Sequence, residues 1–264
     1  MESVISPGST ALTTPRLPLT DYCFNIACMV FQVEMTREER TAIWRHTAPF
    51  LVWVVIMSIP VKDVALRYAV QTVAGVVALL IAKPWRYYSA PSLRWLPVSV
   101  LVGVAVFVLW VLPESSWAKR VPWLYDLYTR YAVRGGVSPV MGMAPYAPEQ
   151  CGWLLSIMRL AGSAFVIAVI EEYFWRGFLM RWLRGRGHPF LSIMPQGVGW
   201  GMLLVSSCLF GLEHSRWLAG VLAGLAYGLL YIRTGDLWAA VTAHITTNYL
   251  LGLYVLATGA YVFW

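Results

Sequence analysis

The stretch Ile167–Arg186, IAVIEEYFWRGFLMRWLRGR, sets adjacent Glu171 and Glu172 in an otherwise hydrocarbon-like helix, adds Arg176 one turn on, and closes with Arg181, Arg184 and Arg186. Two neighbouring carboxylates among apolar residues are costly, and ionisable groups in membrane helices face a protein interior and mark functional sites. The surrounding run from Trp153 to Leu183 lacks proline. At 1.5 Å per residue it outruns the ~30 Å of hydrocarbon, so its basic end is expected to emerge from the membrane.

Composition agrees with that setting. The 264 residues are 59% hydrophobic and 12% charged, with a mean hydropathy of +0.62; a soluble domain typically carries about 25% charged residues. Lipid covering the outside explains the difference. The apolar runs are continuous rather than alternating, which fits a β-barrel poorly. The net charge of +7 comes from basic residues at the edges of apolar runs, a pattern for lipid headgroups and topology rather than nucleic acid. Cys23, Cys28, Cys151 and Cys208 form no metal spacing, and Cys208 reads as a small buried hydrophobe.

Outward from the double glutamate, the chain reads as an all-α, polytopic membrane bundle of about seven to eight transmembrane helices. Residues 1–45 form a polar N-terminal segment. Pro7, Pro15 and Pro18 and the lack of an apolar leader suggest a loose cap over 1–20. Thr36 and Glu39 resemble a capping box opening an amphipathic interfacial helix at TREERTAIWR. His46 reads as solvated or interfacial. Residues 46–264 form the transmembrane domain, with spans expected over 48–59, 64–82, 95–112, 153–183, 198–212, 217–232 and 237–263. The connection 113–150 is expected to hold a surface helix near VPWLYDLYTRYAV or to gate access to the core. His188, between Gly187 and Pro189, reads as a loop residue. Gly220, Gly224 and Gly228 form a stripe that lets another helix approach closely. Basic residues at the N-terminus, Lys83–Arg94, Arg181–Arg186 and Arg233 alternate onto one side, which the positive-inside rule makes cytoplasmic; Lys119–Arg134 falls opposite.

Polar groups on three segments carry the chemistry. Glu172 and Arg176, four apart, can pair on one face, leaving Glu171 turned by about 100°; a buried ion network without chemistry fits this helix equally well. The next helix ends in FGLEH, with Phe210 and His214 on one face, and the last contains HITTN, with His244 and Asn248 on one face. One glutamate and two histidines suggest two chemistries. Glu171, His214 and His244 could ligate zinc, leaving a position for water. Alternatively, Glu171 could deprotonate water directly, His214 could help position it, and His244 and Asn248 could donate to the oxyanion. HExxH is absent.

The ordered motifs EEYFWR (EExxxR), FGLEH (FxxxH) and HITTN (HxxxN) resemble those of the CAAX prenyl endopeptidase and bacteriocin-processing family of intramembrane proteases, over roughly residues 153–256. The resemblance implies Glu171 as the water-activating base, His214 as its helper, His244 and Asn248 as the oxyanion pair, and Glu172, Arg176 and Phe210 as support. It implies an endopeptidase for membrane-associated or C-terminally processed peptides, prenylated ones among them, with zinc or no cofactor. The expected partners are membrane lipids and a peptide substrate, with no nucleic acid; the expected location is a bacterial inner membrane with the N-terminus cytoplasmic. A non-catalytic membrane scaffold or immunity protein, or a proton-coupled transporter, are the alternatives.

Overall fold

In a computed structural model, residues 35–136, 144–185 and 188–264 are described. The expected loose cap over 1–20, together with Cys23 and Cys28, lies outside them. The helices, named in chain order, are α1 (Arg37–Met57), α2 (Val64–Ala82), α3 (Leu96–Val111), α4 (Pro122–Tyr131), α5 (Pro148–Gly185), α6 (Gly199–Leu212), α7 (Trp217–Thr234) and α8 (Leu237–Thr258). Among the described residues there is no strand. Five helical stretches are long and apolar enough to cross a membrane: Val64–Tyr87, Leu93–Arg120, Pro148–Gly185, Trp217–Thr234 and Leu237–Thr258. The protein is an all-helical integral membrane protein. The expected count of seven to eight spans is not reached by length and composition: α6 has only 14 residues, roughly 21 Å of rise, and α1, which opens on the charged residues Arg37, Glu38, Glu39 and Arg40, is not among the five.

Local chemistry sets the helix ends. Asp63 caps α2 by accepting from Leu66 N at 2.9 Å, and Asp236 caps α8 by accepting from Trp238 N at 2.9 Å. Gly235 (φ 70°) and Gly259 (φ 70°) close α7 and α8 in the left-handed region that glycine tolerates. The Gly259 stop corrects the expectation of one apolar span to Phe263. The chain instead turns back through Tyr261–Phe263.

The helix expected around the double glutamate is continuous, but it is not uniform. Its α-helical segment Ala168–Glu172 lies between two π-helical segments, Gly162–Ile167 and Tyr173–Leu179. Such wide turns are rare and concentrate at functional sites.

Helix α8 packs on α3, α5 and α7, while α7 packs on α6 and α1 on α2. The glycine stripe makes the α6–α7 approach possible: a Cβ on Gly224 would lie 2.9 Å from Ser207 Cα, and one on Gly220 would lie 2.9 Å from Gly211 Cα. Outside, Leu80, Ile81, Leu101 and Val108 are exposed. In water they would form an aggregation-prone patch; against hydrocarbon they are an ordinary exterior. Cys208 is on that outward side of α6, exposed rather than buried.

His46 departs from its expected solvated position. TREERTAIWR forms the opening of α1, and His46 is 1% exposed on that helix's inner face. Its ring nitrogens lie 2.7 Å from the Ala42 carbonyl and 2.9 Å from the Tyr88 hydroxyl. Tyr88 is remote in sequence, so His46 looks isolated there. His188 is an exposed bend residue, as expected of a loop position.

The described part of the 113–150 connection is tied down beside the α6–α7 turn. The Glu114 carboxylate accepts from Arg216 at 2.6 and 2.9 Å and from the Tyr128 hydroxyl at 3.0 Å. Arg134 donates to the Leu212 carbonyl at 2.8 Å, and Trp217 Nε1 donates to the Tyr131 carbonyl at 2.8 Å. The expected helix is α4.

Candidate active site

The site is built around Glu172, whose side chain is 0% exposed. Its Oε1 accepts from Arg176 Nη1 at 2.8 Å and from His244 Nδ1 at 2.8 Å. The first contact is the i,i+4 pair expected from sequence; the second joins α5 to α8. Arg176 also donates to the Gly224 carbonyl on α7 at 3.3 Å and stands 4.4 Å from the ring centre of Phe210 on α6. One buried ion network therefore ties four helices together. A buried pair of this kind survives only when both partners are present.

Glu171 occupies the neighbouring face. Its side chain is 12% exposed, and its Oε2 lies 3.7 Å from His244 Nε2. His244 is thus bracketed by two carboxylates, with Glu172 on Nδ1 and Glu171 near Nε2. Tyr227 stacks on the same imidazole. The Tyr227 hydroxyl donates to Thr247 Oγ1, which in turn donates to the Gly103 carbonyl at 2.8 Å.

His214 enters from the α6–α7 turn. Its Nδ1 lies 2.9 Å from the Phe210 carbonyl. A carbonyl only accepts, so in the neutral ring the proton is on Nδ1 and Nε2 keeps its lone pair. Trp110 and Phe210 hold the ring, with centroids 5.4 and 4.8 Å away. Burial pushes the pKa of this turn residue down to about 4, with the nearby His244 and Arg176 adding to the shift. Asn248 donates one Nδ2–H to the Ser163 carbonyl at 2.8 Å, leaving its second amide hydrogen.

Glu171, His214, His244 and Asn248 all line one cavity of about 170 Å³, room for roughly five waters at ~30 Å³ each. Glu172 and Arg176 stand behind its wall, while Phe210 is part of that wall. Sequence reading missed Trp110, Arg159, Tyr227 and Thr247, which also line it. Arg159 and Tyr227 were visible as polar groups on apolar helices; Trp110 and Thr247 gave no comparable signal. Among the described residues, no three His, Cys, Asp or Glu side chains are grouped closely enough to hold a metal ion.

This arrangement can bind water beside a carboxylate, orient it with an imidazole, and present an amide donor to a developing negative charge. Residues 153–250 match the family model described as Type II CAAX prenyl endopeptidase Rce1-like. No curated protein and no solved structure matches the chain. The matched stretch runs from α5 into α8 and includes EEYFWR, FGLEH and HITTN. The resemblance read from those motifs is therefore matched over residues 153–250, which carry Glu171, His214, His244 and Asn248: that stretch is similar to the Type II CAAX prenyl endopeptidase Rce1-like family.

Proposed function

We propose that this protein is an intramembrane endopeptidase that cuts membrane-associated or C-terminally processed peptides by Glu171-activated water attack. The observation carrying the proposal is the convergence of Glu171, His214, His244 and Asn248 on one cavity. A water hydrogen-bonded to the Glu171 carboxylate gives it a proton as the water oxygen attacks the peptide carbonyl carbon. The His214 Nε2 lone pair accepts the second water hydrogen and fixes the direction of attack. The carbonyl electron pair moves to oxygen. The free Nδ2–H of Asn248 is the donor for that oxyanion, with the His244 ring beside it. Collapse breaks the C–N bond, and the proton held by Glu171 passes to the leaving amine. Glu172 and Arg176 position His244 without touching substrate.

The pattern of basic residues supports a cytoplasmic N-terminus, and we place the protein in a bacterial inner membrane. The function is tested with a fluorogenic prenylated peptide and the full chain in lipid nanodiscs. Glu171→Gln should lower turnover by about 10²–10⁴-fold, the usual share of a general base, while leaving the thermal midpoint close to wild type. Turnover equal to wild type would remove Glu171 as the base. The water activation proposed here uses Glu171 without a metal, so activity should survive exhaustive chelation, and metal analysis should find no stoichiometric zinc.

A further inference from the structure

None of the ten residues of α4 is buried, yet its spacing gives it two distinct sides. Val121, Tyr125, Tyr128 and Ala132 recur at helical spacing on the side turned to the bundle. Trp123, Leu124, Leu127 and Tyr131 are exposed, and at 100° per residue they fall within one arc of about 100°. Asp126, the one acidic residue of α4, falls outside that arc. Arg120 and Arg130 stand at the two ends of the apolar stripe. Both are exposed, and among the described residues neither forms an ion pair.

Exposed tryptophan, leucine and tyrosine flanked by arginine suit a helix lying in the headgroup layer, its apolar side toward the acyl chains. The chain delivers α4 to that depth. It begins two positions after Arg120, where the apolar stretch Leu93–Arg120 ends. That stretch exposes Leu101 and Val108 to lipid, and Trp117, 63% exposed, stands near its end, where an interfacial aromatic belongs. The cations of this segment fall opposite the other basic clusters, where topology gives no reason for them; anionic headgroups supply one.

The same segment grips the turn that carries His214. Arg134, just beyond α4, donates its backbone N–H to the Ser215 carbonyl at 2.7 Å and its guanidinium to the Leu212 carbonyl at 2.8 Å. Glu114 joins Tyr128 of α4 to Arg216, and the Tyr131 carbonyl of α4 accepts from Trp217. Leu212, Ser215, Arg216 and Trp217 are therefore all held from one side, with His214 between them. We propose that the exposed side of α4 is a docking surface for the anionic headgroups of the surrounding bilayer, and that this docking steadies the turn carrying His214. The docking is independent of the endopeptidase reading; its effect on turnover rests on that reading.

The test is hydrogen–deuterium exchange on the full chain in two kinds of nanodisc, phosphatidylcholine alone and phosphatidylcholine mixed with phosphatidylglycerol. Amides of residues 122–131 and 212–218 should exchange about five-fold or more slowly in the mixed bilayer, the scale of one cation at an anionic surface. Higher salt should shrink that difference by screening. The double variant Arg120→Gln, Arg130→Gln should lose it, while its thermal midpoint in the neutral bilayer stays near wild type because both side chains are exposed. Inorganic phosphate added to the neutral nanodiscs should not reproduce the slowing, since it offers no acyl chains to Trp123 and Leu127. Equal exchange in the two bilayers, the outcome expected if α4 serves a protein partner instead, would overturn the inference. So would an undiminished difference in the double variant, or slowing by inorganic phosphate alone. Slowing confined to 122–131 would overturn the link to the His214 turn. Turnover of a prenylated peptide should rise with phosphatidylglycerol in wild type and not in the double variant. Failure of the endopeptidase reading would abolish turnover in both bilayers and leave the exchange difference intact.

Discussion

Tyr227 lies nearly parallel to His244, with ring centroids 4.8 Å apart and planes at 22°, and its hydroxyl donates to Thr247 Oγ1 at 2.7 Å. The stack fixes the imidazole plane, while the hydroxyl ties the tyrosine to the next turn of α8. Tyr227→Phe keeps the ring and loses one hydrogen bond worth about 1 kcal/mol, so peptide hydrolysis should fall only about five-fold in kcat/KM. Tyr227→Ala frees the His244 ring and should cost about a hundred-fold, the scale of a misplaced catalytic group. Equal losses in the two variants would show that the hydroxyl, not the stack, carries the effect.

Arg176 and Glu172 are coupled through burial. Arg176→Ala leaves the buried Glu172 carboxylate with His244 as its remaining partner, a change that costs about 3–5 kcal/mol when a buried pair is broken. Thermal unfolding in detergent should record a large drop. Adding Glu172→Gln removes the stranded charge and should recover part of it. A double variant no more stable than Arg176→Ala would count against a charge-based explanation.

Gly220 joins packing to the site. A Cβ there would lie 2.9 Å from Gly211 Cα and 3.2 Å from His214 Nδ1. Gly220→Ala is therefore expected to push α6 from α7 and shift His214, lowering both the thermal midpoint and peptide turnover. Gly197 has open space at the same position, and Gly197→Ala should change neither. Wild-type turnover in Gly220→Ala would show that the turn absorbs the methyl group.

His214 gives a pH dependence with a definite sign. Its folded pKa is held down to about 4, below the ordinary 6.5, by burial. The unfolded chain therefore binds this proton first as pH falls. The His214 contribution to stability is present above about pH 6.5, declines as pH falls, and is fully lost below about 4. Thermal midpoints measured across that interval should fall less steeply for His214→Gln than for wild type. Parallel curves would mean that His214 titrates normally.

The helical fold class and several residues of the cavity wall were legible because lipid and burial impose strict rules. Glu171, Glu172 and Arg176 stood out because charge is costly in hydrocarbon, and the i,i+4 arithmetic for Glu172–Arg176 matches the 2.8 Å contact. The same arithmetic did not show that Glu172 also holds His244, which is 72 residues away. His46 was misjudged for a related reason: its partner Tyr88 is 42 residues distant. Thr247 lay unremarked inside HITTN because threonines commonly bond back to their own helix. It does bond to the Ala243 carbonyl at 3.1 Å, but it also reaches Gly103 on α3. Apolarity and period identify what must face inward; partners across helices depend on packing that short-range spacing does not encode.

The wide turns Gly162–Ile167 and Tyr173–Leu179 make α5 three short rods with separate rotational settings. Each wide turn behaves like a gear slipped by one tooth. With the second wide turn kept, removing one residue between the double glutamate and Arg181 would rotate Met180–Gly185 by about 100° relative to the double glutamate. Arg181 would then swing away from the Ile193 and Leu191 carbonyls, although Glu171 and Glu172 themselves were unaltered. The aim of the carboxylates and the anchoring of the helix end are thus set by different parts of one rod, and a change in chain length between them would break their alignment without changing a single site residue.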